Sequence, residues 1–128
     1  MKPKIILIAL LAACAHAQAS SGIQPHLAKR AIVGEGAGES WPAKLAIASA
    51  LRNRGTLKGV YGLRAHHIEH EPKWVWRHAD AAWAESAKHD FAYGCNMFGG
   101  VIDDHYFQHV LHLKPVFTIG NTRFYRQS

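Results

Sequence analysis

Apolar residues recur at helical spacing at the start of the region that follows the first, strongly apolar segment of the chain. Leu27, Ala31 and Ile32 form one apolar face of such a helix. Pro25 suits its first turn, because proline lacks the amide hydrogen that would be unpaired there. Gly34 follows the apolar face, and glycine commonly ends a helix. The pattern predicts a first helix that begins near Pro25 and ends at Gly34.

Two longer helices are predicted further along the chain. Ser40 can accept hydrogen bonds from free amides at a helix start, and Pro42 is tolerated in a first turn. The segment "AKLAIASALRNR" (43–54) is almost entirely apolar or small until its end, which predicts a central helix buried on most sides. A third helix is predicted over 73–89, where one face carries Trp76, Ala79 and Trp83.

The remaining segments are punctuated by glycine. Glycines 55, 59 and 62 predict a looped stretch, and 90–100 is predicted to be irregular, with a shorter helix over 103–112. In 115–126, two runs of β-branched and aromatic residues flank Gly120 and Asn121, which is the pattern of a tight β-hairpin. The predicted fold class is α+β, mainly α, as a small single domain with a C-terminal β-hairpin.

The first 19 residues have the composition of an export signal: a short basic region, an apolar run and a region of small residues. We interpret 1–19 as a signal peptide, 20–25 as a linker and 26–128 as the catalytic domain. "LAAC", which ends in Cys14, also resembles a bacterial lipoprotein box, so lipidation of Cys14 is the alternative to ordinary cleavage. The protein is expected to be exported to the periplasm, to the outer membrane as a lipoprotein, or to the medium.

The net charge indicates the kind of partner, and the cysteine content indicates the source of stability. The chain of 128 residues has a formal net charge of +6, which suits an anionic cell envelope polymer or a nucleic acid. Removal of the signal would leave Cys95 as the single cysteine, so stability is expected to come from packing rather than from an internal disulfide. We expect a monomer with no specific nucleic-acid partner, in contact with a membrane only through a lipid or signal anchor.

Two glutamates lie in the glycine-rich segment "VGEGAGES" between the first two helices. A dinucleotide-binding loop would need a preceding strand and a third glycine at position 39, and two carboxylates would repel phosphate. Glu35 follows the end of one helix, where the helix dipole raises the pKa of a carboxyl, whereas Glu39 precedes the next helix, where the dipole favours negative charge. Such a pair is typical of an acid with an ionised helper. The alternative is that Glu35 is a solvated loop charge and Glu39 only a helix-start residue.

Several segments together resemble a known family. "AIVGEGAGES", the helix ending in "LRNR", "EPKWVW", "AWAES" and the closing "IGNTRFYR" are similar to the cell wall hydrolases of the spore-cortex-lytic (SleB) type, over about 28–126. The most specific part is G-E-x-x-G-E followed by a helix ending in N-R. Relatives often carry a His or Tyr where this chain has "GCNMFGG", so the segment around Asn96 departs from the family pattern.

The resemblance implies a compact lysozyme-related fold that cleaves the glycan strands of peptidoglycan, as a lytic transglycosylase or a muramidase. The family's catalytic glutamate corresponds to Glu35, and the second motif glutamate to Glu39. No cofactor is expected. Sugar-binding sites use aromatic faces and amide groups, and core packing is the alternative role for each candidate. The candidate substrate-binding residues are Trp41, Tyr61, Asn96, Phe98, Tyr106 and Tyr125.

Two other functions remain open from the sequence. His66, Glu69 and His70 fit H-x-x-E-H, a motif of zinc-dependent hydrolases, although Pro72 leaves little helix to hold that geometry. With no clear third ligand, no metal site is expected beyond this alternative. The chain could also be a non-catalytic cell-wall-binding protein.

Overall fold

A computed structural model of the chain describes residues 22–127. The predicted signal peptide (1–19) and Cys14 lie outside the described residues. Ile23, in the predicted linker, is buried against the core, so the packed domain includes residues before position 26. The described helices are α1 (Pro25–Gly36), α2 (Trp41–Arg54), α3 (Lys73–Ser86) and α4 (Asp104–His109), and the strands are β1 (Met97–Gly100), β2 (Lys114–Ile119) and β3 (Thr122–Arg126).

Helix α1 begins at Pro25, as predicted, but continues two residues beyond the predicted end at Gly34. Gly34 is a contact position rather than a helix end, because a Cβ there would lie 1.8 Å from the carbonyl oxygen of Gly62. The glycine therefore lets α1 pack directly against the backbone of the 3₁₀ turn Tyr61–Arg64. As a consequence, Glu35 belongs to the last turn of the helix and not to a loop.

Helix α2 is the central element, as its composition predicted. The Ser40 hydroxyl accepts a hydrogen bond from the Ala43 amide at 3.4 Å, and Gly55 ends the helix with a left-handed φ of 74°. Ala46, Ile47 and Leu51 are fully buried. The helix packs against α1, α3 and β1. It thus connects the helical part of the domain to the sheet.

The C-terminal hairpin is confirmed, and a third strand extends it. Strands β2 and β3 are antiparallel and joined at Gly120 and Asn121, and β1 pairs with the other edge of β3, so the order is β1-β3-β2. The prediction that 90–100 is irregular was wrong for Met97–Gly100. The four residues "MFGG" lack an alternating pattern, and pairing with β3 decides their conformation.

The other predicted elements need smaller corrections. Helix α3 ends at Ser86 instead of His89, and α4 is shorter than 103–112 at both ends. The looped stretch before α3 contains the 3₁₀ turns Tyr61–Arg64 and His66–His70. Within 22–127, no helix combines the length and apolar character needed to cross a membrane. The domain is α+β and mainly α, as predicted.

Candidate active site

Glu35 is held at the end of α1 by the 3₁₀ turn that packs against it. The Gly62 amide donates a hydrogen bond to Glu35 Oε1 at 2.8 Å. A Cβ on Gly62 would lie 2.6 Å from three atoms of the Glu35 side chain. The carboxyl group is therefore fixed against bare backbone. Its second oxygen, Oε2, has no hydrogen-bond partner among the described residues, which leaves that oxygen for a ligand.

The surroundings of Glu35 favour its protonated form. Burial is the largest influence and raises the pKa of Glu35 above its usual 4.5, whereas the Gly62 hydrogen bond and the charges of Arg54 and His67 lower it. The position of Glu35 after a helix end predicted a raised pKa, and the pKa is raised. The leading cause differs from the predicted helix dipole, because removal from water outweighs the other influences.

The end of α2 supplies the nearest fixed positive charge. Arg54 donates a hydrogen bond to the Lys58 carbonyl, which holds its guanidinium near Glu35. Asn53 donates to the Asp90 carboxylate and to the Cys95 carbonyl at 3.0 Å. Asn53 therefore fixes backbone beside the end of α2, and Arg54 fixes a positive charge near Glu35.

His67 is a neighbour of Glu35 that the sequence analysis did not single out. Its Nε2 lies 3.0 Å from the Gly34 carbonyl oxygen, and its Nδ1 lies 2.9 Å from Glu71 Oε1. The imidazole thus links the last turn of α1 to the segment that precedes α3. Only the tertiary contact identifies it, since it is one of ten histidines in the chain.

The adjacent histidine motif is arranged differently from a zinc site. His66 and His70 are exposed in a 3₁₀ turn, and Glu69 accepts a hydrogen bond from Arg30 at 2.6 Å. No group of three or more metal-ligating side chains is close enough to hold an ion anywhere in 22–127. The geometry therefore gives the zinc alternative no support.

Glu39 is bound to the sheet rather than to Glu35. The Thr122 hydroxyl donates to Glu39 Oε1 at 2.9 Å, and Glu39 Oε2 lies 2.7 Å from where a Cβ on Gly120 would be. No hydrogen bond joins the two carboxyl groups. The two glutamates of the motif therefore have different surroundings: Glu35 faces the turn at Gly62, and Glu39 connects the α1–α2 loop to the hairpin.

Three of the six candidate substrate-binding residues are exposed. Trp41 is 38% exposed, Tyr61 is 85% exposed and Tyr106 is 52% exposed. Tyr61 directly precedes Gly62, whose amide bonds to Glu35, in the same 3₁₀ turn. Together with Val60, Leu63 and Arg64 it lines a cavity of about 400 Å³. These rings are available to a ligand.

The other three candidates have structural contacts. Asn96 exchanges hydrogen bonds with the Gln127 backbone, and Phe98 is half-buried with its ring 6.1 Å from that of Phe124. Tyr125 is fully buried and its hydroxyl donates to Asp104 at 2.6 Å, so its ring offers no face to a sugar. The prediction that Tyr125 binds substrate does not fit this structure, because residues of α4 cover the ring: Phe107 lies 5.1 Å from it between ring centres, and Asp104 accepts its hydroxyl hydrogen bond.

Comparisons with known proteins found no relative of this chain. No protein-family model, no curated protein and no solved structure matches this chain. The resemblance to cell wall hydrolases therefore stays a prediction that rests on the segments quoted above.

Proposed function

We propose that this protein cleaves peptidoglycan glycan strands between N-acetylmuramic acid and N-acetylglucosamine, with Glu35 as the general acid and base. The observation that carries the proposal is the setting of Glu35. Its side chain is half-buried, its carboxyl has a raised pKa, and one carboxyl oxygen is unpaired among the described residues. A raised pKa keeps more of the carboxyl protonated at a given pH, which suits it to donate a proton.

The reaction begins with proton transfer from Glu35 to the glycosidic oxygen. The bond between that oxygen and C1 of the muramic acid residue then breaks, and positive charge develops on the sugar ring. The Gly62 amide, the Arg54 guanidinium and the His67 imidazole stabilise the carboxylate that Glu35 becomes. The same neighbours that limit the rise in its pKa therefore support the second half of the reaction.

Glu35 and Glu39 have different hydrogen-bond partners, which favours a mechanism that uses one carboxyl group. Glu39 is occupied by Thr122 and makes no hydrogen bond to Glu35. In a lytic transglycosylase, the Glu35 carboxylate takes the proton of the C6 hydroxyl, and O6 bonds to C1 to close a 1,6-anhydro ring. This route needs no second carboxyl and no activated water. We assign the protein to this type, with muramidase hydrolysis as the alternative outcome.

The proposal includes export, because the substrate lies outside the cytoplasm. It is supported by the composition of the first 19 residues and by the basic chain, which suits an anionic wall polymer. The partner is peptidoglycan, and no cofactor is required by the chemistry described.

The test is digestion of purified peptidoglycan, with mass spectrometry of the released fragments. We expect fragments ending in 1,6-anhydromuramic acid, and we expect Glu35→Gln to release them at least about 10²-fold more slowly, because general acid catalysis contributes about that much or more. Glu85→Gln, on the surface of α3, is the matched control and should be fully active.

The alternative outcomes are distinct. Reducing muramic acid ends would indicate hydrolysis and direct attention to Glu39 and a bound water. Absence of release from walls of several compositions, or full activity of Glu35→Gln, would contradict the proposal.

A further inference from the structure

Three rings form a continuous exposed row on the surface beside the candidate active site. The His78 ring centre lies 5.7 Å from that of Trp41 and 5.3 Å from that of Trp74, with steep angles between the ring planes. Trp41 is 38% exposed and Trp74 is 48% exposed. We call Trp41, His78 and Trp74 the aromatic row. Neighbouring exposed rings of this size form a surface on which a ligand can pack.

A buried lysine lies against this row. Lys44 is only 2% exposed, and its Nζ lies 5.1 Å from the centre of the Trp74 ring. Burial lowers the pKa of Lys44, and the Glu71 carboxylate partly offsets that effect. Among the described residues no carboxylate is within ion-pair distance of Nζ. A leucine or methionine at this position would fill the space without the cost of withdrawing an ammonium from water.

Lys44 has two effects on the aromatic row. Its ammonium attracts the π-face of Trp74, which holds that indole in place. It also places a positive charge beneath a surface that is otherwise aromatic. An anionic ligand is complementary to this combination, because the charge attracts the anion while the indole faces pack against apolar C–H groups.

A series of contacts connects the row to Glu35. Lys44 packs against Gly36 at the end of α1, with its Cγ 3.5 Å from the position of a Cβ there. The Glu71 carboxylate that influences Lys44 bonds to His67, which bonds to the Gly34 carbonyl. Both the row and the candidate acid are thus connected to the last turn of α1.

We propose that the aromatic row binds sugar rings of a glycan strand that carries carboxylates, and that Lys44 selects such strands over neutral ones. This inference rests on the proposed function, since it places the row next to Glu35 along the bound strand. It adds Trp74, His78 and Lys44 as binding residues to Trp41. Muramic acid, with its lactyl carboxylate or attached peptide, has the required chemistry, whereas a chitin oligosaccharide lacks the charge.

The experiment measures binding in the Glu35→Gln background, so that the ligand is not cleaved. The probes are a tetrasaccharide of alternating N-acetylglucosamine and N-acetylmuramic acid, and neutral tetra-N-acetylchitotetraose, titrated by calorimetry. We expect Trp74→Ala to weaken binding of both probes by about 3- to 10-fold, and Trp74→Phe to restore most of it. Lys44→Met should weaken binding of the acidic probe by about 3-fold more than binding of the neutral probe, and this difference should shrink at high salt.

Lys29→Met is the matched control, because Lys29 pairs with Asp80 at 3.2 Å, away from the row. His78→Ala provides a second variant of the row, and thermal unfolding shows that each variant is folded. Unchanged binding in Trp74→Ala and His78→Ala, or equal effects of Lys44→Met on both probes, would overturn the inference. Cleavage of peptidoglycan by the wild type would be unaffected by that result. Conversely, binding that depends on the row in a protein that cleaves nothing would sustain the inference and refute the proposed function.

Discussion

At the scale of single residues, the chemistry of Glu35 comes from burial. The carboxyl lies in the last turn of α1, where water is partly excluded, and its pKa is raised for that reason above all. Arg54 and His67 are near enough to limit this rise. Burial and the dipole of α1 both oppose a negative charge at this position, so either one predicts a raised pKa for Glu35.

The raised pKa of Glu35 links its protonation to stability. The folded protein holds the proton more tightly than the unfolded chain, so the stabilisation is fully present below about pH 4.5 and is lost as pH rises through the folded-state pKa. Glutamine is neutral at every pH and can still accept the Gly62 hydrogen bond. We therefore expect Glu35→Gln to have a higher free energy of unfolding than the wild type at pH 7.

Urea unfolding followed by circular dichroism at pH 7 and pH 4 measures this difference. The gain from Glu35→Gln should shrink at pH 4, where the wild-type carboxyl is largely protonated. Glu85→Gln, which alters a carboxyl beside Lys88 on the surface, should show no such gain. A gain of equal size at both pH values would mean that ionisation of Glu35 is not its cause.

At the scale of elements, the candidate site depends on direct backbone contact between α1 and the 3₁₀ turn Tyr61–Arg64. Gly34 and Gly62 allow this contact, because a side chain on either would meet the other element at less than van der Waals distance. The contact brings the Gly62 amide to the Glu35 carboxylate. Both glycines thus contribute to the site because they lack a side chain.

Gly62→Ala tests this contact. Its Cβ would force the Glu35 side chain to move, so we expect a loss of about 1–3 kcal/mol in stability and a fall in peptidoglycan release on the order of 10²-fold. Gly38→Ala is the control, because nothing lies within 4 Å of its Cβ and the change should be close to neutral. Both are measured by urea unfolding and by the digestion assay. Wild-type activity in Gly62→Ala would refute the role given to this turn.

At the scale of the whole molecule, Glu39 and Thr122 join the helical part of the chain to the sheet. They are 83 positions apart, and the hydrogen bond between them is 2.9 Å long. Gly120, with a φ of 57°, keeps the hairpin turn close to the same carboxylate. The bond therefore fixes the hairpin relative to the start of α2.

Thr122→Val removes this bond without changing the shape of the side chain. Because the Glu39 carboxylate would lose its partner in a partly buried position, we expect a loss of about 1 kcal/mol in stability, or about 4 °C in unfolding temperature. Thr118→Val removes a hydrogen bond from Arg123 at an exposed position of the same hairpin and should cost less than Thr122→Val, because water can replace that bond. A double-mutant cycle with Glu39→Ala would show no coupling if the bond does not contribute.

The sequence by itself determined the local structure of this protein. The cap at Ser40, the apolar composition of 43–54 and the turn at Gly120 and Asn121 each act through neighbours in the chain, so the elements and the fold class could be predicted from them. The two glutamates were identified in the same way, from their positions near helix ends. These local features do not depend on residues far away in the chain.

Only the tertiary structure decided how these elements meet. Strand β1 exists because β3 lies beside it, α1 continues through Gly34 because Gly62 packs against it, and Tyr125 is withdrawn into the core. The surroundings of Glu35, the bond between Glu39 and Thr122, and the aromatic row all join residues far apart in the chain. The energies of these contacts depend on burial and on distances across the fold. The spacing of residues along the sequence specifies neither burial nor those distances.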